Sequence, residues 1–557
     1  MKEKVKKMTD KELAELMFPD VVHDVEYYEK LYPERNLPEG AIVSRFAPSP
    51  TGFVHMGSLR SAFIAQKLPK DTNGVFYLRI EDTDGARTVE NGIQGIIDDL
   101  KNFDIQIDEG VISETEEIGA YGPYIQSKRR EIYRTYAKSL VERGLAYPCF
   151  CTQEELDETR KMQELNKERI GIYGSYAKCR FLTNEERAER IRRGDKFIVR
   201  LKSPGDFRKK VSYQDLVRGK IEFPENDMDI VLIKSDGLPL YHFAHAIDDH
   251  LMHTTHVIRG EEWISSVPVH LQLFQVLGFK PPKYAHLGVV MKIDEDGTRR
   301  KLSKRKDPEA AVSYYHEQGI PVEAVKLYLM TTANSNFEAW WEQNPTLGID
   351  DFRFDFKKMS VSGTLFDLEK LLNISRNYIS RLTAEEVYQG CLTWAKEFDH
   401  EFAEILEKYP DYSKAIFNIE REQKKPRKDY ESFSKVKSQV WYMYDEYFTG
   451  DLTYDFGKIQ DKAEIAKILS TYLDKYFDEH DDKDTWFEKI KQLSTELGYT
   501  TDMKAYRQNP ELYPGSVADV STVIRVALTT SSMTPDLYVL LSLLGKERIK
   551  ARFQKFM

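Results

Sequence analysis

The chain has 557 residues, 41% of them hydrophobic and 31% charged, with a net charge of −10 at pH 7. This is the make-up of an ordinary globular protein of three or more structural units, and the acidic total argues against a generic nucleic-acid binder without excluding local basic surfaces. No apolar run approaches a membrane span, no signal region follows Met1-Lys2-Glu3-Lys4, and four cysteines (Cys149, Cys151, Cys179, Cys391) are too few for a disulfide framework, so a cytoplasmic protein without membrane contact is expected.

Residues 1–40 form a charged amphipathic extension that ends in the turn signal Leu37-Pro38-Glu39-Gly40 and is expected to pack on the body as helix. Ala41–Phe46 reads as a strand and Leu59–Lys67 as a helix. Between them runs Ala47-Pro48-Ser49-Pro50-Thr51-Gly52-Phe53-Val54-His55-Met56-Gly57-Ser58, where prolines forbid helix and glycines let the backbone approach a ligand. A strand, a tight loop and a helix N-terminus make an anion site, and here the loop adds the imidazole of His55. It is neither the dinucleotide fingerprint nor a P-loop, because no Gly-Lys-Ser/Thr follows.

Gly74–Ile80 reads as a second strand that runs into Glu81-Asp82-Thr83-Asp84, placing carboxylates where open α/β sheets hold ligands. Helical patterns cover Thr88–Asn102 and Ser127–Arg143. From Tyr147 to Phe223 short strands alternate with charged helices, which suggests an inserted domain. Sheet returns at Asp229–Lys234, followed by a histidine-rich stretch from Tyr241 to His256, a strand at Val257–Arg259, a helix at Val267–Leu277 and a strand at Ala285–Val290. The basic loop Arg299-Arg300-Lys301-Leu302-Ser303-Lys304-Arg305-Lys306 ends this portion, and beyond residue 310 helical patterns dominate.

His55 and the lysine loop are far apart in sequence but suit one reaction. Nucleotidyl transfer at the α-phosphate of ATP builds charge on phosphorus, and a fixed imidazole, backbone amides and a mobile ammonium at Lys304 would stabilise it. Each motif alone is weak, since a solvated basic loop is the ordinary reading of such a run.

Together they resemble a known family. Arg45–Ser58 resembles the first motif of class I aminoacyl-tRNA synthetases in the form used by bacterial-type glutamyl-tRNA synthetases, and Lys301-Leu302-Ser303-Lys304-Arg305 resembles their second motif. Leu78–Asp84, Gly122–Ser127, Tyr241–Ala244, Ile247–His250 and Val257–Trp263 resemble further blocks of the same enzymes, in family order. The resemblance implies an α/β fold: a class I Rossmann-like catalytic domain with an inserted acceptor-stem domain, followed by an α-helical stem-contact and anticodon-binding region. On this chain it implies halves of the catalytic domain at 41–122 and 246–310, the insertion at 123–245, a stem-contact region at 311–375 and a helical anticodon-binding region at 376–557. It implies ATP with Mg²⁺, the ion being held mainly by phosphate oxygens and water.

Carried over by position, His55 and Lys304 are catalytic, with Gly57, Lys301 and Ser303 beside them on ATP. Arg45, Arg259 and Tyr241 would hold the side-chain carboxylate of glutamate, and Ala47, Ser49 and Glu81 its amino-acid end. A planar guanidinium fork fits a carboxylate and rejects an amide. The family commonly has asparagine where His245 stands, and Ser58 replaces a second histidine in the first motif. Cys149-Phe150-Cys151 with Cys179 resembles the zinc-bearing insertion of some members; Tyr173 or Tyr176 would be the fourth ligand, and a metal-free buried trio is the alternative. The expected partners are L-glutamate and tRNA(Glu), with tRNA(Gln) as a second candidate acceptor, and a monomer is expected. Lys128–Arg134, Arg187–Lys210 and Lys424–Lys428 are candidate phosphate contacts. The glutaminyl relatives usually carry Glu-Pro-Asn in place of Ser49-Pro50-Thr51, a truncated tRNA-modifying paralogue lacks the C-terminal helices, and a silent RNA-binding protein would not need Arg45, His55, Arg259 and Lys304 together.

Overall fold

The computed structural model describes residues 7–52, 54–84, 89–303 and 305–557. The chain divides into one compact unit of Met1–Tyr314 with Lys326–Asp367 and another of Tyr315–Val325 with Leu368–Met557.

The first unit begins with two short helices, α1 (Asp10–Met17) and α2 (Val25–Leu31). Thr9 and Glu12 form a capping box that satisfies the first free N–H groups of α1, and Asp24 caps α2. Leu13, Ala14, Met17 and Tyr28 are buried, so the amphipathic pattern of the extension is spent on the body of the unit.

Strand β1 (Val43–Phe46) leads through the proline loop into α3 (Met56–Lys70), which returns to β2 (Val75–Leu78). Helix α4 (Gly92–Asn102) then connects to β3 (Glu109–Val111) and β4 (Glu117–Ile118). The strands pair in the order β1-β2-β3-β4, parallel except for the last. Both strands and the helix between them are apolar on the faces they bury, which is why the pattern is legible.

Helix α5 (Arg130–Glu142) is followed by β5 (Ala146–Cys149), α6 (Gln153–Leu165), α7 (Asn184–Arg192), β6 (Ile198–Leu201), the hairpin β7 (Lys210–Asp215) and β8 (Gly219–Pro224), and β9 (Val231–Ile233). Helix α8 (Tyr241–Leu251) returns the chain to the sheet at β10 (His256–Gly260), and α9 (Val267–Leu277) leads to β11 (Lys283–Leu287), parallel to β10. Thr255 ties this second pair to the first: its N–H donates to Val43 O at 2.9 Å, and its Oγ1 accepts from Val43 N–H at 2.9 Å. The sheet therefore reverses direction of growth between β1 and β10, the switch point at which open α/β sheets open a crevice. Beyond it, β12 (Val290–Ile293) pairs antiparallel with β13 (Arg299–Lys301) and parallel with β14 (Thr364–Leu365).

The second unit is helical. Val387, Phe402, Leu406, Tyr472, Ile490, Val523 and Leu540 belong to one buried core, and helix Ala384–Phe398 opens with a capping box from Thr383 and Glu386.

The extension is fastened by more than packing. Arg35 forks onto Glu109 at 2.8 and 2.9 Å, donates through Nε to Met252 O at 3.0 Å and lies 3.9 Å from the Tyr121 ring centroid. Removing one partner of a largely desolvated pair strands the other charge, so Arg35→Ala should cost about 3 kcal/mol of stability. Lys70→Ala, which breaks an exposed pair with Asp350, should cost about 0.5 kcal/mol or less. Thermal melting of both variants checks this, and equal small shifts would show that the extension is only loosely attached.

Candidate active site

A cleft of about 370 Å³ lies at the carboxyl ends of β1, β2, β10 and β11. It brings together most of the residues expected to act. Arg45, Ala47, Pro48, Ser49, Thr51, Gly52, His55, Met56, Gly57, Ser58, Glu81, Tyr241, Arg259, Lys301 and Leu302 all line it. Pro50 is buried away from the lining, Ser303 and Arg305 are outside it, and Lys304 lies outside the described residues.

On one side is a ladder of buried charge. Arg45 is paired in register with Tyr77 across β1 and β2, and the two-residue period of the strand carries Arg79 and Glu81 along the same face. From α8, Asp249 meets this face: Arg79 Nη1 donates to it at 2.7 Å and Arg45 Nε at 3.3 Å. Arg79 Nη2 in turn donates to Glu81 at 3.0 Å. Burial alone would raise the pKa of Asp249, yet Arg45 and Arg79 hold it well below the carboxylate range. Burial raises that of Glu81 despite the same arginines.

On the other side Arg259 is also buried, but its surroundings differ. It donates to Tyr241 Oη at 3.1 Å, His286 Nε2 at 3.0 Å and His270 Nδ1 at 3.2 Å. Tyr241 is the first residue of α8, so its ring sits at the cleft and packs on Trp263 with centroids 4.3 Å apart. His245, one turn further, is fully buried; its Nδ1 lies 2.7 Å from Asp249 and its Nε2 3.0 Å from the Tyr284 hydroxyl, so it supports the wall and does not line the cleft.

At the outer end, His55 is the N-cap of α3. The backbone N–H of Ser58 donates to its Nδ1 at 3.1 Å, which places the proton of the neutral ring on Nε2. A Cβ at Gly57 would stand 3.2 Å from the His55 ring, so glycine there allows the ring to fold over the helix start. His55 bridges to Ala311 and Val312 N–H donates to Val54 O, which lays the chain following the lysine motif against the histidine motif. Asp307 organises that loop: it accepts from Ser303 N–H at 2.9 Å and from Arg300 at 2.5 and 2.7 Å.

Cys149, Cys151 and Cys179 converge, with ligand atoms within 4.8 Å of one another. Cys151 Sγ and Cys179 Sγ are 3.7 Å apart, and Phe150 N–H donates to Cys179 Sγ at 3.4 Å. Hydrogen bonds from Cys151 and Cys179 pull the Cys149 thiol well below its ordinary pKa. The tyrosines expected as a fourth ligand are engaged elsewhere: Tyr173 donates to Arg169 O at 2.8 Å and Tyr176 to Glu168.

The basic stretches divide. Arg129 is buried on Asp248 at 2.7 Å, Arg187 donates to Cys179 O and Arg180 O, and Arg200 donates to Asp229 O, so these three are structural and do not face phosphate. Lys196, Lys202, Lys209, Lys210, Lys424, Lys425 and Lys428 are exposed.

Nothing in the sequence pattern assigns a role to Arg79, Asp249, His270, His286 or Asp215. One signal was available: Tyr241, His245 and Asp249 recur at four-residue spacing, one face of a helix. The others come from elements distant in sequence, and no local pattern marks them.

Residues 41–342 match the family model described as tRNA synthetases class I (E and Q), catalytic domain. A glutamate–tRNA ligase of Clostridium perfringens (strain SM101 / Type A) is 47% identical over 552 residues, covering 99% of this chain and 100% of its own. One from Clostridium beijerinckii is 47% identical over 559 residues, with the same coverage. The crystal structure of a glutamate tRNA ligase from Elizabethkingia meningosepticum in complex with its amino acid has a TM-score of 0.74 at 25% identity, covering 92% of this chain and 99% of that one. Motifs, cleft and near-complete coverage agree, and the chain belongs to the class I tRNA synthetases of the E and Q family.

Proposed function

We propose that this chain is a glutamate–tRNA ligase that joins L-glutamate to the 3′ end of tRNA(Glu) in two steps. The α-carboxylate of glutamate attacks the α-phosphorus of ATP, the bond to pyrophosphate breaks, and glutamyl-adenylate forms. A hydroxyl of the terminal ribose then attacks the adenylate carbonyl, giving the ester and AMP. The observation that carries this reading is a single cleft lined by Arg45, Arg259, Glu81 and His55, at the switch point of the sheet.

In that cleft Arg45, Arg259 and Tyr241 face the side-chain carboxylate, while Glu81 opposes the α-ammonium beside Ala47 and Ser49. His55, with the start of α3, Gly57, Lys301, Ser303 and Lys304, meets the phosphates of ATP. Mg²⁺ bound with ATP offsets phosphate charge. The insertion, the stem-contact region at 311–375 and the helical region from 376 onward serve the tRNA, with the exposed lysines as phosphate contacts whose grip weakens with salt.

Charging with labelled glutamate on separate tRNA(Glu) and tRNA(Gln) transcripts tests the reading. Charging of tRNA(Glu) supports it, charging of both acceptors identifies a non-discriminating enzyme, and charging of neither rejects it. Lys304→Ala should slow adenylate formation about a hundredfold or more while tRNA affinity changes little. Gly57→Ala should reduce the same step by displacing His55, with melting temperature nearly unchanged.

The cysteine trio suits one Zn²⁺. A tetrahedral site with Zn–S bonds of about 2.3 Å sets sulfurs about 3.8 Å apart, which the 3.7 Å between Cys151 and Cys179 matches. The donor set supplies three thiolates and leaves the fourth position to water or another donor; bound there, the ion would staple the small core of Tyr147, Phe150 and Cys179. The purified chain should carry about one zinc per molecule by elemental analysis, and Cys151→Ser should lose both metal and melting temperature. Metal-free protein with an unchanged melt after zinc addition rejects the site.

A further inference from the structure

The polarity of the hydrogen bonds around Arg259 can be read without ambiguity. A guanidinium only donates, so each atom facing it must offer a lone pair. His286 Nε2 accepts from Arg259 Nε at 3.0 Å, so its proton is on Nδ1, which faces Asp215 Oδ2 at 2.6 Å. His270 Nδ1 accepts from Nη2 at 3.2 Å, so its proton is on Nε2 and points to His242 Nδ1 at 2.9 Å. Burial and the charge of Arg259 push His242 down to about 4 and His270 well below the usual histidine value, and His286 is lowered mainly by burial, so all three rings are neutral.

Asp215 is buried at the end of β7, where it also accepts from the N–H groups of Val217 and Arg218, both at 2.9 Å. Its carboxylate thus stands one imidazole away from Arg259. Among the described residues Arg259 forms no ion pair, although Arg45 and Arg79, equally buried, share Asp249. The chain has fixed the orientation of one cleft arginine by neutral acceptors alone.

We propose that Asp215 through His286, and His242 through His270, are positioning residues that aim the Arg259 fork while keeping a carboxylate off it, and that this sets the preference of the pocket for an acidic side chain over its amide. The inference rests on the glutamate-binding role given to Arg259 above. A directly bound carboxylate would compete with the substrate for the same donors and cancel the charge that distinguishes glutamate from glutamine. The arrangement has the logic of the carboxylate–histidine pairs that orient metal-bound imidazoles.

The decisive comparison is His270→Asn against His270→Asp in the full chain, because the two side chains share a shape and differ in charge. Aminoacylation of tRNA(Glu) is measured against glutamate, glutamine and ATP concentration. His270→Asn, which keeps a neutral acceptor for Arg259 but loses the imidazole link to His242, should lower glutamate kcat/KM about tenfold. His270→Asp should raise the glutamate KM about 100-fold, leave the ATP KM unchanged and narrow the ratio of glutamate to glutamine use. Equal losses in the two variants, or an unchanged glutamate KM in His270→Asp, overturn the proposal. Should His270→Asp not fold, Asp215→Asn decides: it should raise the glutamate KM about tenfold with the ATP KM unchanged, and no change overturns the proposal. A parent chain that charges no glutamate overturns the underlying reading and the proposal with it, and is told apart because the failure appears before any substitution.

Discussion

One carboxylate holds two arginines in the interior of the first unit. Asp249 accepts from Arg79 and Arg45, and all three side chains are buried. Ion pairs this deep contribute little net stability, but losing one member strands the rest at a cost of about 3–5 kcal/mol. Arg45 comes from β1 and Arg79 from the residue after β2, while Asp249 comes from α8, far along the chain. The fold and the cleft are therefore specified by the same contact. Because the pKa of Asp249 is held well below its ordinary value, its contribution is fully present above the unfolded pKa and is lost only as pH falls through the lower folded value.

The same contact makes the cleft asymmetric. Arg45 and Arg79 are partly neutralised by Asp249 and Glu81, whereas Arg259 is surrounded by Tyr241, His270 and His286. An anionic group entering the cleft meets one arginine whose charge is shared and one whose charge is not. On the proposed reading, glutamate recognition would turn on what surrounds Arg259, and Arg45 would orient as much as it attracts.

The parts legible in the sequence are those with local causes. Prolines and glycines between an apolar strand and an apolar helix define the loop at His55, and helix α9 falls on the expected bounds of Val267–Leu277. Helix α3 starts at Met56, three residues before the apolar period shows it, because His55 itself supplies the cap. What could not be read is the use of charge. Arg129, Arg187 and Arg200 look like phosphate contacts in a basic run, yet each is consumed inside the unit: Arg129 by the distant Asp248, Arg187 by the carbonyls of Cys179 and Arg180, and Arg200 by the carbonyl of Asp229. The extension shows the same limit: its amphipathic helices were legible, but the fork of Arg35 on Glu109 was not.

The histidines of the cleft share one device despite their different surroundings. Imidazole can present a proton from either nitrogen, which makes it an imprecise tool unless something chooses. At His55 the choice is made by a backbone N–H at the start of α3, and at His270 and His286 by the guanidinium of Arg259. Each of these groups can only donate, so each fixes the far nitrogen as the donor. For His55 that donor is Nε2–H, which lies 3.1 Å from the Ser58 hydroxyl at the start of α3. For His286 it is Nδ1–H, directed back at Asp215, away from the cleft. The same side chain thus caps a helix start at one end of the cleft and serves as a neutral spacer behind an arginine at the other, and the difference lies in which obligate donor it touches.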